Sequence, residues 1–140
     1  MPFYVSEGIV MSFDEHLKAK ADENWECVGL LKTYLPRRFN VAASRLYYSI
    51  FLIVKSRMVA NAKDASKPEA SKMSAGAATN SHRLVSQYIK TFDDSVYDLF
   101  RDLHDLRNEA DYEPRPVCRE DFEEAYEFWS KWRTRFLSEY

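Results

Sequence analysis

The hydrophobic and polar positions of this chain alternate with a helical period over most of its length. Ser12-Phe13-Asp14-Glu15 has the form of a capping box, with Ser12 accepting from the third helical N–H and Glu15 reaching back. Phe13, Leu17, Ala21, Trp25, Val28, Leu31 or Lys32, and Leu35 then recur at three- or four-residue steps, which predicts an amphipathic helix ended by Pro36. The residues before it, Met1 to Met11, read as a short apolar leader, extended, with Phe3, Tyr4, Val5, Ile9 and Val10 packing on that helix. From about Asn40 to Ala60 a second helix carries Ala43, Leu46, Tyr47, Ile50, Phe51, Val54 and Met58 on one side. It is the most apolar helix and is expected at the centre, with Tyr47 in the core and Arg45, Tyr48, Lys55 and Arg57 off the stripe.

Residues 61–80 turn to Ala, Ser, Lys and Gly among other small and polar residues, with Met73 as their one large apolar side chain, so the stretch is expected to be a long mobile loop. Ser81 caps a short third helix containing Leu84, Val85, Tyr88 and Ile89. Asp93, Asp94 and Ser95 form an acidic entry to a fourth helix, whose apolar face is Val96, Leu99, Leu103, Leu106 and Ala110 and whose end is set by Pro114 and Pro116. A last helix begins near Cys118 to Glu120, and Phe122, Ala125, Tyr126, Trp129, Trp132 or Arg133, and Phe136 make its aromatic stripe, read as core or dimer surface. The pattern predicts an all-α fold, an antiparallel bundle of four to five helices forming a single domain over residues 1–140.

Composition narrows this further. Only 3 Gly and 5 Pro in 140 residues supply few turns for an all-β fold. The formal charge of −2 gives no global cationic field for duplex DNA. Its distribution is uneven, since eleven Lys and Arg stand between Lys32 and Lys90 against Asp64 and Glu69, while acids outnumber bases about three to one from Phe92 to Glu127. The two halves are expected to attract each other, and the asymmetry suits intramolecular docking, self-association or an RNA-facing patch. Cys27 and Cys118 have no CxxC spacing, and no run of some eighteen apolar residues occurs, so free thiols, no membrane span and a cytoplasmic location are expected. Gly8, Gly29 and Gly76 are isolated, no GxSxG or HExxH is present, and His16, His82 and His104 lack metal-ligand spacing, so neither a metal nor a cofactor is expected.

What remains is a charge in the wrong place. Counting about 100° per residue from Val96 puts Arg107 at about 20°, inside the apolar face, with Asp111 at about 60° and His104 at about 80°. A guanidinium taken from water needs a partner or a cleft, so His104, Arg107 and Asp111 form either a structural ion pair or a site. Metal-free phosphodiester cleavage needs a cation for the developing charge and a group to move a proton, and an Arg and a His on one face supply both types. Two-fold association through this face would bring two such arginines into one cleft. His82 and Arg83, cations in the first turn of the third helix against its dipole, are candidates for the rim, and Arg45 and Tyr48 for further binding contacts.

Val41-Ala42-Ala43-Ser44-Arg45-Leu46-Tyr47-Tyr48-Ser49-Ile50-Phe51, then Ser81-His82-Arg83, then Leu106-Arg107-Asn108-Glu109-Ala110-Asp111-Tyr112-Glu113-Pro114, together resemble the HEPN domain family. The resemblance spans about residues 13 to 138 and is greatest to the branch that reads SRAYYAxF, then H, then LRxxADYxP. It implies a helical bundle, usually homodimeric, and for many relatives a metal-independent ribonuclease that serves as the toxin of a toxin–antitoxin or phage-defence pair with a nucleotidyltransferase partner. In active relatives an Arg and a polar residue are followed, four to six residues after the Arg, by a His. Arg107 and Asn108 match the first part, Asp111 and Tyr112 occupy the places of the His, and His104 lies one turn upstream. By that resemblance Arg107 holds phosphate, Asn108 orients it and His104 or Tyr112 handles the proton. The alternatives are a non-catalytic helical interaction module and a nucleotide-binding accessory subunit of a nucleotidyltransferase.

Overall fold

The computed structural model describes residues 3–6, 9–34, 39–61, 81–112 and 117–139. Within them the chain is a helical bundle fronted by a small hairpin: β1 (Phe3–Ser6), β2 (Ile9–Ser12), α1 (Phe13–Tyr34), α2 (Phe39–Ala60), α3 (Ser81–Lys90), α4 (Asp94–Tyr112) and α5 (Arg119–Glu139). The extended leader is thus a two-stranded antiparallel ribbon in which Phe3 faces Ser12 and Ser6 faces Ile9. The expected mobile loop, from residue 62 on, lies outside the described residues.

Local chemistry sets the helix starts. The Glu15 N–H donates to Ser12 Oγ at 3.4 Å as a capping box requires, but the Glu15 carboxylate accepts from the Ser12 hydroxyl at 3.0 Å in place of the Ser12 backbone N–H. Asp93 caps α4, its Oδ1 accepting the Val96 N–H at 3.0 Å. At the start of α5, Asn40 from α2 accepts the Val117 N–H at 2.8 Å, which ties the beginnings of these two helices together.

Cross-helix contacts give the directions. Ser56 Oγ donates to the Asp14 carbonyl and Arg45 to Asn24 Oδ1, so α1 and α2 are antiparallel. Phe39 meets Phe122 at one end of α2 and Arg57 donates to the Leu137 carbonyl at the other, so α5 runs parallel to α2. Against α1 it runs antiparallel, with Trp25 stacked on Tyr126 and Arg133 paired with Asp22 at 3.0 Å. α2 is the central element, as its composition predicts, and it is buried well beyond the single stripe: Ala42, Ser44, Ser49, Ile53 and Ser56 are buried as well as Ala43, Leu46, Tyr47, Ile50, Val54 and Met58. Small serines on its remaining faces let neighbours approach. Ser49 returns its hydroxyl to the Leu46 carbonyl, which satisfies it without a tertiary partner. The α5 stripe is core: Phe122, Ala125, Trp129 and Phe136 are buried. On α4, Phe100 joins Val96, Leu99 and Leu103 in the core, a position that the spacing of Val96, Leu99 and Leu103 passes over.

The expected attraction between the basic and acidic stretches is not realised as ion pairs. Among the described residues no ion pair joins a cation of residues 32–90 to an acid of residues 92–127; the ion pairs are local to α1, α4 and α5 or join Asp22 to Arg133. No described helix is long and apolar enough to cross a membrane. Because Ile50 is fully buried at the centre of the core, Ile50→Ala is expected to lower stability by about 2–5 kcal/mol in urea denaturation. Leu30→Ala, at a position 58 % exposed, is expected to change it by less than about 0.5 kcal/mol.

Candidate functional site

The site is built on α2. A tyrosine in a helix interior brings a phenol that must find a partner once buried, and Tyr47 is only 3 % exposed. Its hydroxyl lies 2.8 Å from His82 Nδ1, at the first turn of α3. Around the same ring lie Phe51, Phe100 and His104, with centroids 5.8, 5.3 and 5.7 Å away. His82 and His104 stack on each other, centroids 3.7 Å apart and planes 25° from parallel, and His82 also stacks on Phe100 at 5.0 Å. Three helices thus deliver one aromatic group to one place: Tyr47 from α2, His82 from α3, Phe100 and His104 from α4.

Arg107 follows His104 by three residues and so lies one turn further along α4, on nearly the same face. Its guanidinium carbon is 5.4 Å from the centroid of Tyr47 and 5.3 Å from that of Tyr48, within cation–π range of both. Asp111 Oδ2 is 3.4 Å from Arg107 Nε, close enough for an ion pair, yet the N–H is misaligned and Nε, buried, has no hydrogen-bond acceptor among the described residues. The Arg107 side chain retains 19 % exposure. Tyr48 also carries Arg45, whose guanidinium carbon is 5.6 Å from its centroid and whose Nη1 donates to Asn24 at 3.2 Å. One phenol ring therefore gathers two guanidinium groups, of which only that of Arg107 has an acidic partner among the described residues.

Burial and the nearby cations decide protonation. His82 is pushed down to about 4, chiefly by desolvation, then by His104 and Arg107, with Asp105 opposing. Desolvation and Arg107 also hold His104 below the usual imidazole value, again against Asp105. Desolvation raises the Tyr47 phenol well above its ordinary value, Tyr48 adds to this and Arg107 opposes it. At neutral pH the core of the site is therefore two neutral imidazoles and an un-ionised phenol. Among the described residues the phenol's one hydrogen-bond partner is His82 Nδ1: the phenol donates to the Nε2–H tautomer of that ring and accepts from the Nδ1–H tautomer.

Of the residues singled out in the sequence, the structure brings together Arg107, His104, His82, Tyr48, Arg45 and Asp111. It does not bring in Arg83, which is exposed on α3, or Tyr112, 74 % exposed at the end of α4. Asn108 is half-buried and has no hydrogen-bond partner among the described residues. Tyr47, read from the sequence as a core residue, is core and is also the hub of the site. A clue lay in the consecutive pair Tyr47-Tyr48, but the identity of the phenol's partner depends on where α3 packs. No cluster of three or more His, Cys, Asp or Glu able to hold a metal occurs among the described residues. In comparisons with models of protein families, with curated proteins and with solved structures, nothing matches the chain.

Because His82 titrates near 6.5 in an unfolded chain and at about 4 in the fold, acid favours the unfolded state, which takes up a proton the native imidazole refuses. The stability that neutral His82 contributes is complete above pH 6.5 and is lost as pH falls toward 4. The urea midpoint is expected to drop over that interval and to drop less steeply in His82→Gln; equal slopes in the two proteins would contradict the assignment.

Proposed function

We propose that the chain is a HEPN-like component of a toxin–antitoxin or defence pair that binds RNA and cleaves it without a metal ion, at the site formed by Arg107, Arg45, His104 and His82. The observation that carries this reading is Arg107: a guanidinium seated on two phenol rings, with an Nε that has no acceptor among the described residues, beside two imidazoles that are neutral at physiological pH. A phosphodiester oxygen can reach the part of the Arg107 side chain that stays exposed, and Arg45 on the other contact of Tyr48 adds a second positive charge.

The chemistry follows from protonation. A neutral His104 can take the proton of a ribose 2′-hydroxyl as that oxygen attacks the adjacent phosphorus. The negative charge that builds on the equatorial oxygens is met by Arg107, and the 5′-oxygen departs with a proton from solvent. His82 does not take the proton itself: its Nδ1 is occupied by Tyr47, and its ring holds the His104 ring in place by stacking. This arrangement differs from the resemblance's Arg followed downstream by His, since His104 precedes Arg107. A homodimer through the Arg107 face would set two such sites against each other, and a nucleotidyltransferase is the partner that the resemblance implies.

The Asp111 ion pair favours a second reading, in which Arg107 is a packing and interface residue of a non-catalytic module or of a nucleotide-binding accessory subunit. RNA cleavage in excess chelator separates the two. Arg107→Ala and His104→Ala are each expected to reduce cleavage by about 10²-fold or more while the helical circular-dichroism signal and melting temperature stay close to those of the parent. Loss of folding in Arg107→Ala, or cleavage undiminished in both variants, would support the structural reading.

A further inference from the structure

The acidic stretch of the chain leaves a surface feature on α4 and α5 that the Arg107 site does not use. The two helices flank a groove of about 500 Å³ over Ser95 to Leu106 and Asp121 to Phe128. Its floor is apolar, made by Leu99, Leu106, Ala125 and Phe128. Both edges are anionic, with Asp98, Asp102 and Asp105 on α4 and Asp121 and Glu124 on α5. All five acids are exposed, and none has an ion-pair or hydrogen-bond partner among the described residues. Among the described residues no Lys or Arg of the chain's basic stretch pairs with them. Five uncompensated carboxylates around an apolar slot repel one another, and cations placed along both edges would relieve that repulsion while the floor is covered.

We propose that this groove is a docking site for a basic amphipathic helix of a partner protein. Its length supports a helix: Ser95 to Leu106 spans about 16 Å at 1.5 Å per residue, three turns of a partner lying alongside. An apolar floor between two like-charged edges fits a helix that presents apolar side chains at i, i+3 or i+4, and i+7, with Lys or Arg on both flanks. The same edges repel nucleic acid. They also disfavour a second copy of this chain meeting through a two-fold axis, which would set acid against acid. The inference stands apart from the reading of the Arg107 site, which faces α2.

The test is an amide chemical-shift titration of the intact protein at 0.15 M salt. The probe is a 14-residue helical peptide of Leu and Lys with a 3.6-residue period, and its Leu/Glu counterpart is the control. Saturable shifts confined to residues 95–106 and 121–128 are expected, with a Kd at least tenfold weaker in the Asp98→Asn/Asp102→Asn/Asp121→Asn variant and within twofold of the parent in Glu23→Gln/Glu26→Gln. The substituted positions are exposed, and the same spectra report that the variants are folded. Shifts spread over α1, equal losses in the two variants, or equal binding of the Leu/Glu peptide would overturn the proposal. So would concentration-dependent self-association through these amides, which would assign the groove to a second copy.

Discussion

A phenol buried in the middle of the most apolar helix is the constraint on which the rest of the site depends. Tyr47 cannot leave its hydroxyl unpaired inside the bundle without a penalty of about 1–3 kcal/mol, and the partner it finds is His82 at the first turn of α3. That bond joins α3 to α2, alongside the burial of Val85, Tyr88 and Ile89 in the core. It also sets His82 where the ring of His104 stacks on it, so the surroundings of the His104 imidazole on α4 are tied to the need to satisfy a core tyrosine. The consecutive residue Tyr48, on the next face of α2, then takes the two guanidinium groups. A helix that is buried almost all round still presents one polar seam, and the seam is where the chemistry collects.

The electrostatics of the seam and of the opposite side of α4 differ in kind. Around Tyr47 the charges are few, partly desolvated and close to aromatic rings, where each has a large effect on the protonation of its neighbours. Along α4 and α5 the carboxylates are many and exposed, each well solvated, and their effect is collective. Asp105 stands between the two, lining the groove while its charge favours the protonated form of both His82 and His104. The site and the acidic edge are therefore two faces of the same helix, in contact through one carboxylate.

The helices and their order were legible in the sequence because their signals are local: the Ser12 and Asp93 caps, the period of the apolar residues, and the composition that marks α2 as central. Arg107 was legible for the same reason, since a charge on an apolar face shows in the helical count, and so was its i, i+4 pairing with Asp111. What spacing alone could not supply is any relation between helices. The stacking of His82 on His104, the bond from Tyr47, the sharing of Tyr48 by Arg45 and Arg107, and the orphaned Nε all depend on how α2, α3 and α4 pack, and no residue pattern along one helix encodes it. The hairpin ahead of α1 was read only as an extended leader, because the pairing of β1 with β2 is a relation between two segments that neither segment's own pattern encodes. The charge asymmetry was legible too, but whether its halves pair is decided by which helix faces lie in contact, and among the described residues no ion pair joins them.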